Sequence, residues 1–92
     1  MTKIIVKELI WDEWNREHIK KHNVSVEEIE FVARNLITHH RVKQNRYLII
    51  GRVGSRIVSV IVSRKELGIY YPVTARDSAK KERRMVYEKA KT

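Results

Sequence analysis

The sequence predicts a single α+β domain over residues 1–92, with elements in the order β-α-α-β-β-β-β-α and helices packed on a mostly antiparallel sheet. Two observations carry this prediction. Residues 11–36 place apolar side chains at helical spacing, whereas the residues after Thr38 alternate between apolar and polar as strands do. The chain length agrees with a single domain, because 92 residues can bury one modest core.

The first third of the chain predicts a strand and two helices. The apolar residues between Ile4 and Ile10 indicate an opening strand, and residues 11–22 are rich in helix formers. Asn23 tolerates the left-handed backbone conformation that ends a helix. Ser25, with Glu28 three residues later, is the pattern of a capping box, so a second helix is expected to begin there.

The rest of the chain predicts four strands and a terminal helix. The strands are expected at residues 40–43, 46–53, 56–65 and 69–75, with two-residue turns at 44–45 and 54–55. The predicted strand at residues 56–65 is apolar on both faces, which is typical of a central strand. Strict alternation places Tyr70 and Ala75 on opposite sides of the last strand. Asp77 or Ser78 is expected to cap a helix that runs to about Ala90.

Positive charge is concentrated in the second part of the chain. The formal net charge is +9. Residues 1–36 carry six Lys or Arg and seven Asp or Glu, a net of −1, and residues 37–92 carry fourteen and four, a net of +10. Such asymmetry indicates an anionic partner: RNA, DNA, anionic lipid or an acidic protein. A merely solubilising surface would intersperse the two signs.

Several classes of protein are not expected. The chain has no cysteine, which excludes disulfides and thiolate metal sites. The first residues lack the apolar core of a signal peptide, and no apolar run is long enough for a membrane span, so a cytoplasmic protein is expected. There is no glycine-rich phosphate loop and no nucleophile elbow, and we expect no cofactor.

Two groups of cations are candidates for binding phosphate. Arg76, Lys80, Arg83 and Tyr87 follow one another at spacings of four, three and four, which suits a row of phosphate contacts with a stacking surface. The alternative is an ordinary amphipathic helix whose long cationic side chains border an apolar seam of Ala79, Val86 and Ala90. Earlier in the chain, Arg46 and Arg52 share one face of their strand.

The histidines His18 and His22 lie four residues apart and so share one face of the first helix. A third metal ligand is not evident, so a metal site is not expected. One of the two could transfer a proton, because histidine titrates near neutral pH. The other interpretation is that they are packing residues between helix and sheet. RNA can be cleaved by attack of its own 2′-hydroxyl group on the neighbouring phosphate. A proton-transfer group together with cations and tyrosine suits this reaction.

Three segments, WDEWNREHIKKHNVSVEEIE (11–30), RYLIIGR (46–52) and YPVTARDSAKKERRMVY (71–87), resemble the BrnT family of toxins. The resemblance covers nearly the whole chain in the same order. It implies a RelE-like fold, a ribonuclease activity that arrests translation, and neutralisation by a ribbon-helix-helix antitoxin that binds operator DNA.

The resemblance also assigns roles to residues. It implies His18, His22, Arg76 and Arg83 as catalytic residues, with RNA contacts from Arg46, Arg52, Lys80 and Tyr87. Members of the family carry a lysine near the position of Asn15, so the change to asparagine removes one acid–base group and leaves His18 as a substitute. The alternative function is a basic module that binds RNA or an acidic protein without catalysis.

Overall fold

The computed structural model describes residues 4–91, with side chains as far as Glu88, and confirms the predicted order of elements. The elements are β1 (Glu8–Leu9), α1 (Glu13–Lys20), α2 (Val26–Arg34), β2 (Leu36–Lys43), β3 (Arg46–Val53), β4 (Arg56–Glu66), β5 (Ile69–Asp77) and α3 (Lys80–Lys91). The strands form one sheet in the order β1-β5-β4-β3-β2. Only the pairing of β1 with β5 is parallel in these residues, and β4 is central, as predicted.

Capping boxes fix the start of α1 and α2. Asp12 accepts a hydrogen bond from the backbone N–H of Asn15 at 2.9 Å, and the Asn15 side chain accepts one from the N–H of Asp12. Helix α1 therefore begins at Glu13, two residues later than predicted, and ends at Lys20 before Asn23, whose φ of 59° is left-handed as expected. The predicted capping box of Ser25 and Glu28 is confirmed.

The main core lies between the sheet and the helices α1 and α2, on the side that we call the helix face. Val58, Val60 and Val62 of β4 project into it at alternate positions and are fully buried. Helix α2 lies close to β3 because Gly51 has no side chain: a Cβ atom there would come within 3.1 Å of Val32. The close approach of α2 to β3 at Gly51 contributes to the packing of this face.

A bulge in β5 corrects one prediction. Ile61 pairs with Thr74 whereas Val62 pairs with Pro72, so Val73 is an extra residue in the ladder. Tyr70 and Ala75, predicted on opposite sides of the strand, are therefore both buried in the helix-face core. The prediction was wrong because strict alternation takes no account of an inserted residue.

Arg56, at the start of β4, joins three distant segments. Its guanidinium donates to both carboxylate oxygens of Glu28 at 3.2 and 3.0 Å, to the backbone oxygen of Asn23 at 2.7 Å, and to Asp77. These contacts, with Asp77 the largest contributor, raise the pKa of Arg56. The side chain thus fastens the start of α2 to the ends of β4 and β5.

The start of α3 differs from the prediction. The helix begins at Lys80, and the N–H of Ala79 donates to the carboxylate of Glu82 at 2.8 Å. Neither predicted residue caps the helix: Asp77 accepts from Arg56, and the Ser78 hydroxyl lies 2.6 Å from that of Ser59. In the predicted seam Val86 is buried and Ala79 is exposed, and the side chain of Ala90 lies outside the described residues.

Candidate nucleic-acid interface

Helix α3 covers only half of the sheet surface on its side, which we call the α3 face. Val86 packs with Ile50 and Ile57, beside Ile37 of β2, and the Ser59 hydroxyl donates to Glu82 at 2.9 Å, so the helix lies over these positions of β2, β3 and β4. Towards the other ends of the strands the same face is half-buried or exposed. This open half consists of Lys43, Arg46, Ser63 and Tyr71 in one row across the strands, and His40, Leu48, Ile61 and Thr74 in the next.

The open half is positively charged. Lys43 lies opposite Arg46 in the β2–β3 ladder, and the Lys65 ammonium lies 5.7 Å from the ring centroid of Tyr71. Among the described residues, Lys43, Arg46 and Lys65 form no ion pair with a carboxylate. Uncompensated cations around the half-buried side chains of Leu48 and Ile61 make this surface suited to a chain of phosphates.

Arg76, predicted to be catalytic, is held by Glu82. Its two terminal nitrogens donate to the two carboxylate oxygens, each at 2.8 Å. Burial raises the pKa of Glu82, but hydrogen bonds from Arg76, Ala79 and Ser59 outweigh this effect and lower it overall. The carboxylate is therefore ionised at neutral pH, and it neutralises the charge of Arg76.

Arg83, also predicted to be catalytic, and the predicted RNA contacts are spread over the α3 face. Arg83 donates from Nε to the backbone oxygen of Ser78 at 3.1 Å, and Lys80 and Tyr87 are exposed on α3. Arg52 lies six residues along β3 from Arg46, which corresponds to about 20 Å. The two arginines are thus too far apart to hold the same phosphate.

His18 and His22 lie on the other side of the sheet. They belong to α1, whose buried Ile19 is part of the helix-face core. The Trp14 ring stacks on His18 with centroids 4.9 Å apart, and His22 lies 5.8 Å from His18. The structure therefore separates these histidines from Arg76 and Arg83, and within residues 4–91 no three His, Asp or Glu side chains form a metal-ligand cluster.

Position 15, where the resemblance implies a lysine in family members, is structural in this chain. The Asn15 side chain is fully buried and donates to the backbone oxygens of Ile10 at 2.9 Å and Pro72 at 3.2 Å. Nearby, the Tyr71 hydroxyl donates to Asp12 at 2.8 Å. The pKa of Asp12 is lowered, first by the N–H of Asn15 and then by Tyr71. These contacts fasten the start of α1 to β5.

Sequence reasoning missed Glu82 and Arg56. In sequence, Glu82 is one acid within a basic stretch, and Arg56 is one of several strand arginines. The only local signal for Glu82 is its position three residues after Ala79, the spacing at which a carboxylate reaches back to a helix start. Their pairing with Arg76, Glu28 and Asp77 depends on the sheet register.

The chain thus defines a class of small α+β protein in which two helices cover one face of an antiparallel sheet and a terminal helix leaves half of the other face open and basic. The same fold occurs in the crystal structure, at 1.1 Å resolution, of the ribonuclease toxin BrnT of Brucella abortus. The TM-score is 0.63 at 25% sequence identity, and the match covers 79% of this chain and 97% of that one.

The resemblance to BrnT toxins found in the sequence is therefore confirmed by the fold. No model of a protein family matches the sequence, and no curated protein matches it either. Within residues 4–91, no helix is long and apolar enough to cross a membrane.

Proposed function

We propose that the chain is the ribonuclease toxin of a type II toxin–antitoxin system, which cleaves RNA without a metal ion and arrests translation. The observation that carries the proposal is the fold shared with the ribonuclease toxin BrnT over 97% of that protein. The uncompensated cations of the α3 face support it independently, because an RNA backbone is a chain of anions.

RNA would bind across the open half of the α3 face and along α3. Arg46 contacts phosphate on the sheet, while Lys80 and Tyr87 extend the contacts onto the helix. Arg76, once released from Glu82, and Arg83 stabilise the charge that develops on phosphorus. Arg52 contacts a phosphate further along the strand.

The role of His18 and His22 in proton transfer stays a prediction. Because the sheet lies between them and Arg76, they serve the same reaction only if the RNA passes around an edge of the sheet to reach α1. The double variant His18→Gln/His22→Gln tests this role. If the histidines transfer the proton, this variant must lose RNA cleavage.

The partner in this proposal is a ribbon-helix-helix antitoxin that binds operator DNA and neutralises the toxin by covering its basic face. The concentration of positive charge supports a partner that presents acidic groups to this face, since residues 37–92 carry a net charge of +10. Co-expression with the small reading frame next to the gene, followed by co-purification, is the test of the partner.

The activity is tested with purified protein and end-labelled single-stranded RNA, with and without EDTA. We expect cleavage in both conditions, and growth arrest when the chain is expressed alone. Arg46→Gln should slow cleavage about tenfold or more, because it removes a phosphate contact. The matched control is Arg41→Gln, since Arg41 is an exposed cation of β2 opposite Tyr47 on the helix face. Intact RNA under all conditions would contradict ribonuclease activity, and loss of cleavage in EDTA would contradict the metal-free reaction.

A basic binding module without catalysis is the second candidate. The separation of His18 and His22 from the cations of the α3 face favours it, because the predicted proton-transfer groups do not meet the predicted phosphate contacts. Retention of intact RNA by wild-type protein, with loss of retention in Arg46→Gln, would establish this function instead.

A further inference from the structure

One histidine, His40, lies on the α3 face. His40 pairs with Leu48 in the β2–β3 ladder, and directly paired residues of antiparallel strands project to the same side. Leu48 alternates along β3 with Ile50, which packs under Val86 of α3. His40 therefore projects onto the open half of the α3 face.

Its neighbour His39 projects the other way. His39 pairs with Ile49, which is fully buried in the helix-face core. Since His18 and His22 belong to α1 on that side as well, His40 is the one histidine of the described residues on the α3 face.

Two cations lie next to His40. Arg46 is its diagonal neighbour across the ladder, at a separation of about 7–8 Å that a long side chain can bridge. Lys43 is paired directly with Arg46, and the extra residue Val42 in the β2 ladder places Lys43 on the same face as His40. The three side chains therefore project from neighbouring positions of the α3 face.

These three side chains are free for a ligand. Within residues 4–88, none of them donates or accepts a side-chain hydrogen bond or forms an ion pair, in contrast to Arg76, which Glu82 holds. His40 is exposed, and the Leu48 and Ile61 side chains in its row are half-buried. An unpaired base can lie on that apolar surface while its phosphate reaches the cations.

We propose that His40, Lys43 and Arg46 form a phosphodiester site for single-stranded RNA in which His40 transfers the proton; this rests on the proposed ribonuclease function. The His40 imidazole accepts the proton of the 2′-hydroxyl as the 2′-oxygen attacks phosphorus. The bond from phosphorus to the 5′-oxygen breaks, and that oxygen leaves with a proton from solvent. Lys43 and Arg46 stabilise the charge on the phosphoryl oxygens. Because Arg76 lies on β5, three strands away from β2, in this site Arg76 and Arg83 contact neighbouring phosphates and not the phosphate that reacts. The products are a 2′,3′-cyclic phosphate and a 5′-hydroxyl end.

The experiment compares His40→Gln with His39→Gln, a substitution of the adjacent histidine on the opposite face. Cleavage rates are measured on labelled single-stranded RNA at saturating protein, and affinity is measured with the 2′-deoxy oligonucleotide of the same sequence, which cannot react. Thermal unfolding midpoints of both variants provide the check on folding.

We expect His40→Gln to slow cleavage about 100-fold or more while its affinity for the 2′-deoxy strand changes less than about threefold, since a proton-transfer group acts on the rate. We expect His39→Gln to retain the wild-type rate, and wild-type products to carry a 2′,3′-cyclic phosphate.

A wild-type rate in His40→Gln, with the wild-type protein active, would overturn the site and leave the proposed function standing. An equal loss in His39→Gln would overturn it as well, because the effect would then come from the packing of β2. Cleavage of the 2′-deoxy strand would overturn the proton-transfer step. Wild-type protein that leaves RNA intact would overturn both the site and the proposed function.

Discussion

The two faces of the sheet are held by different interactions. In the described residues the helix face contains thirteen buried residues in one core, whereas the α3 face has three: Ile50, Ile57 and Val86. The α3 face adds the polar cluster of Ser59, Ser78, Glu82 and Arg76. The helix face thus carries most of the apolar stabilisation, and the α3 face is left with surface that a ligand can use.

Among the described residues, each face carries both paired and unpaired cations: Arg56 and Arg64 on the helix face, and Arg76 and Arg46 on the α3 face. On the helix face Arg56 is neutralised by Glu28 and Asp77. On the α3 face Lys43 and Arg46 have no ion-pair partner among the described residues. Charge that is paired within the fold contributes to structure, and charge left unpaired contributes to binding.

The largest expected effect comes from truncating adjacent core residues on the two faces. Ile49 and Ile50 are both fully buried, and they project to the helix face and the α3 face respectively. We expect Ile49→Ala to lower the free energy of unfolding by about 4 kcal/mol and Ile50→Ala by about 2 kcal/mol, because the smaller cluster relaxes more easily around the cavity. Urea unfolding followed by circular dichroism measures both values. An equal or larger loss in Ile50→Ala would break the comparison.

Glu82→Gln is expected to have the next largest effect on stability. The substitution keeps the size of the side chain and removes the charge that holds Arg76, so we expect a loss of about 2–3 kcal/mol in the free energy of unfolding. Glu88→Gln, on the exposed side of the same helix, is the matched control. A Glu82→Gln protein as stable as the wild type would show that the polar cluster does not hold α3.

The same carboxylate gives the α3 face a pH dependence. Because the pKa of Glu82 is lowered in the folded state, its contribution is present above the unfolded pKa of about 4.5 and is lost as the pH falls through the folded value. Urea midpoints measured from pH 7 to pH 3 should therefore decline less steeply in Glu82→Gln than in the wild type. Parallel declines would contradict the lowered pKa.

Arg56→Ala tests the ion pairs on the helix face. The substitution removes hydrogen bonds to Glu28, Asp77 and Asn23, and we expect a loss of about 1.5–2 kcal/mol because the site is partly open to solvent. RNA binding should not change, since this arginine is occupied within the fold. Arg64→Ala, on an exposed part of the same strand face, is the control. Weakened RNA binding in Arg56→Ala, with unchanged binding in Arg64→Ala, would contradict the expectation that RNA binds only the α3 face.

The smallest effect is expected at the start of α2. Ser25→Ala removes one half of a capping box and should cost about 1 kcal/mol. The measurement is again the urea midpoint, with RNA cleavage as a second readout that should stay at the wild-type level. Lower cleavage at unchanged stability would place part of the RNA site on the helix face.

Local patterns predicted most of the fold. The capping box of Ser25 and Glu28, the left-handed Asn23 and the bounds of β3 all follow from neighbouring residues, and the structure confirms them. The bulge at Val73 and the ion pairs of Arg56 depend on which strands meet in which register. No local pattern carries that information.

The candidate site also combines features that local spacing predicts with features that depend on strand pairing. Spacing along the chain predicted Arg46, Arg83 and Tyr87 as groups that bind RNA, and in the structure they are exposed or half-buried on the α3 face, while their contact with RNA stays a prediction. The division of the histidines between the two faces could not be predicted, because it depends on which side of the sheet α1 packs against and on the pairing of His40 with Leu48.

The way α3 is attached has a consequence for the area of the binding surface. Within the described side chains, Val86 and Glu82 are the buried residues of this helix, so detaching it requires less free energy than unfolding the sheet. Amide protons of α3 should therefore exchange with deuterium earlier than those of β3 and β4. Each such opening uncovers Ile50, Ile57 and Ser59 and frees Arg76 from Glu82. The surface area open to a ligand thus depends on the equilibrium between attached and detached α3. A ligand that binds the wider surface more tightly would shift this equilibrium toward the detached helix.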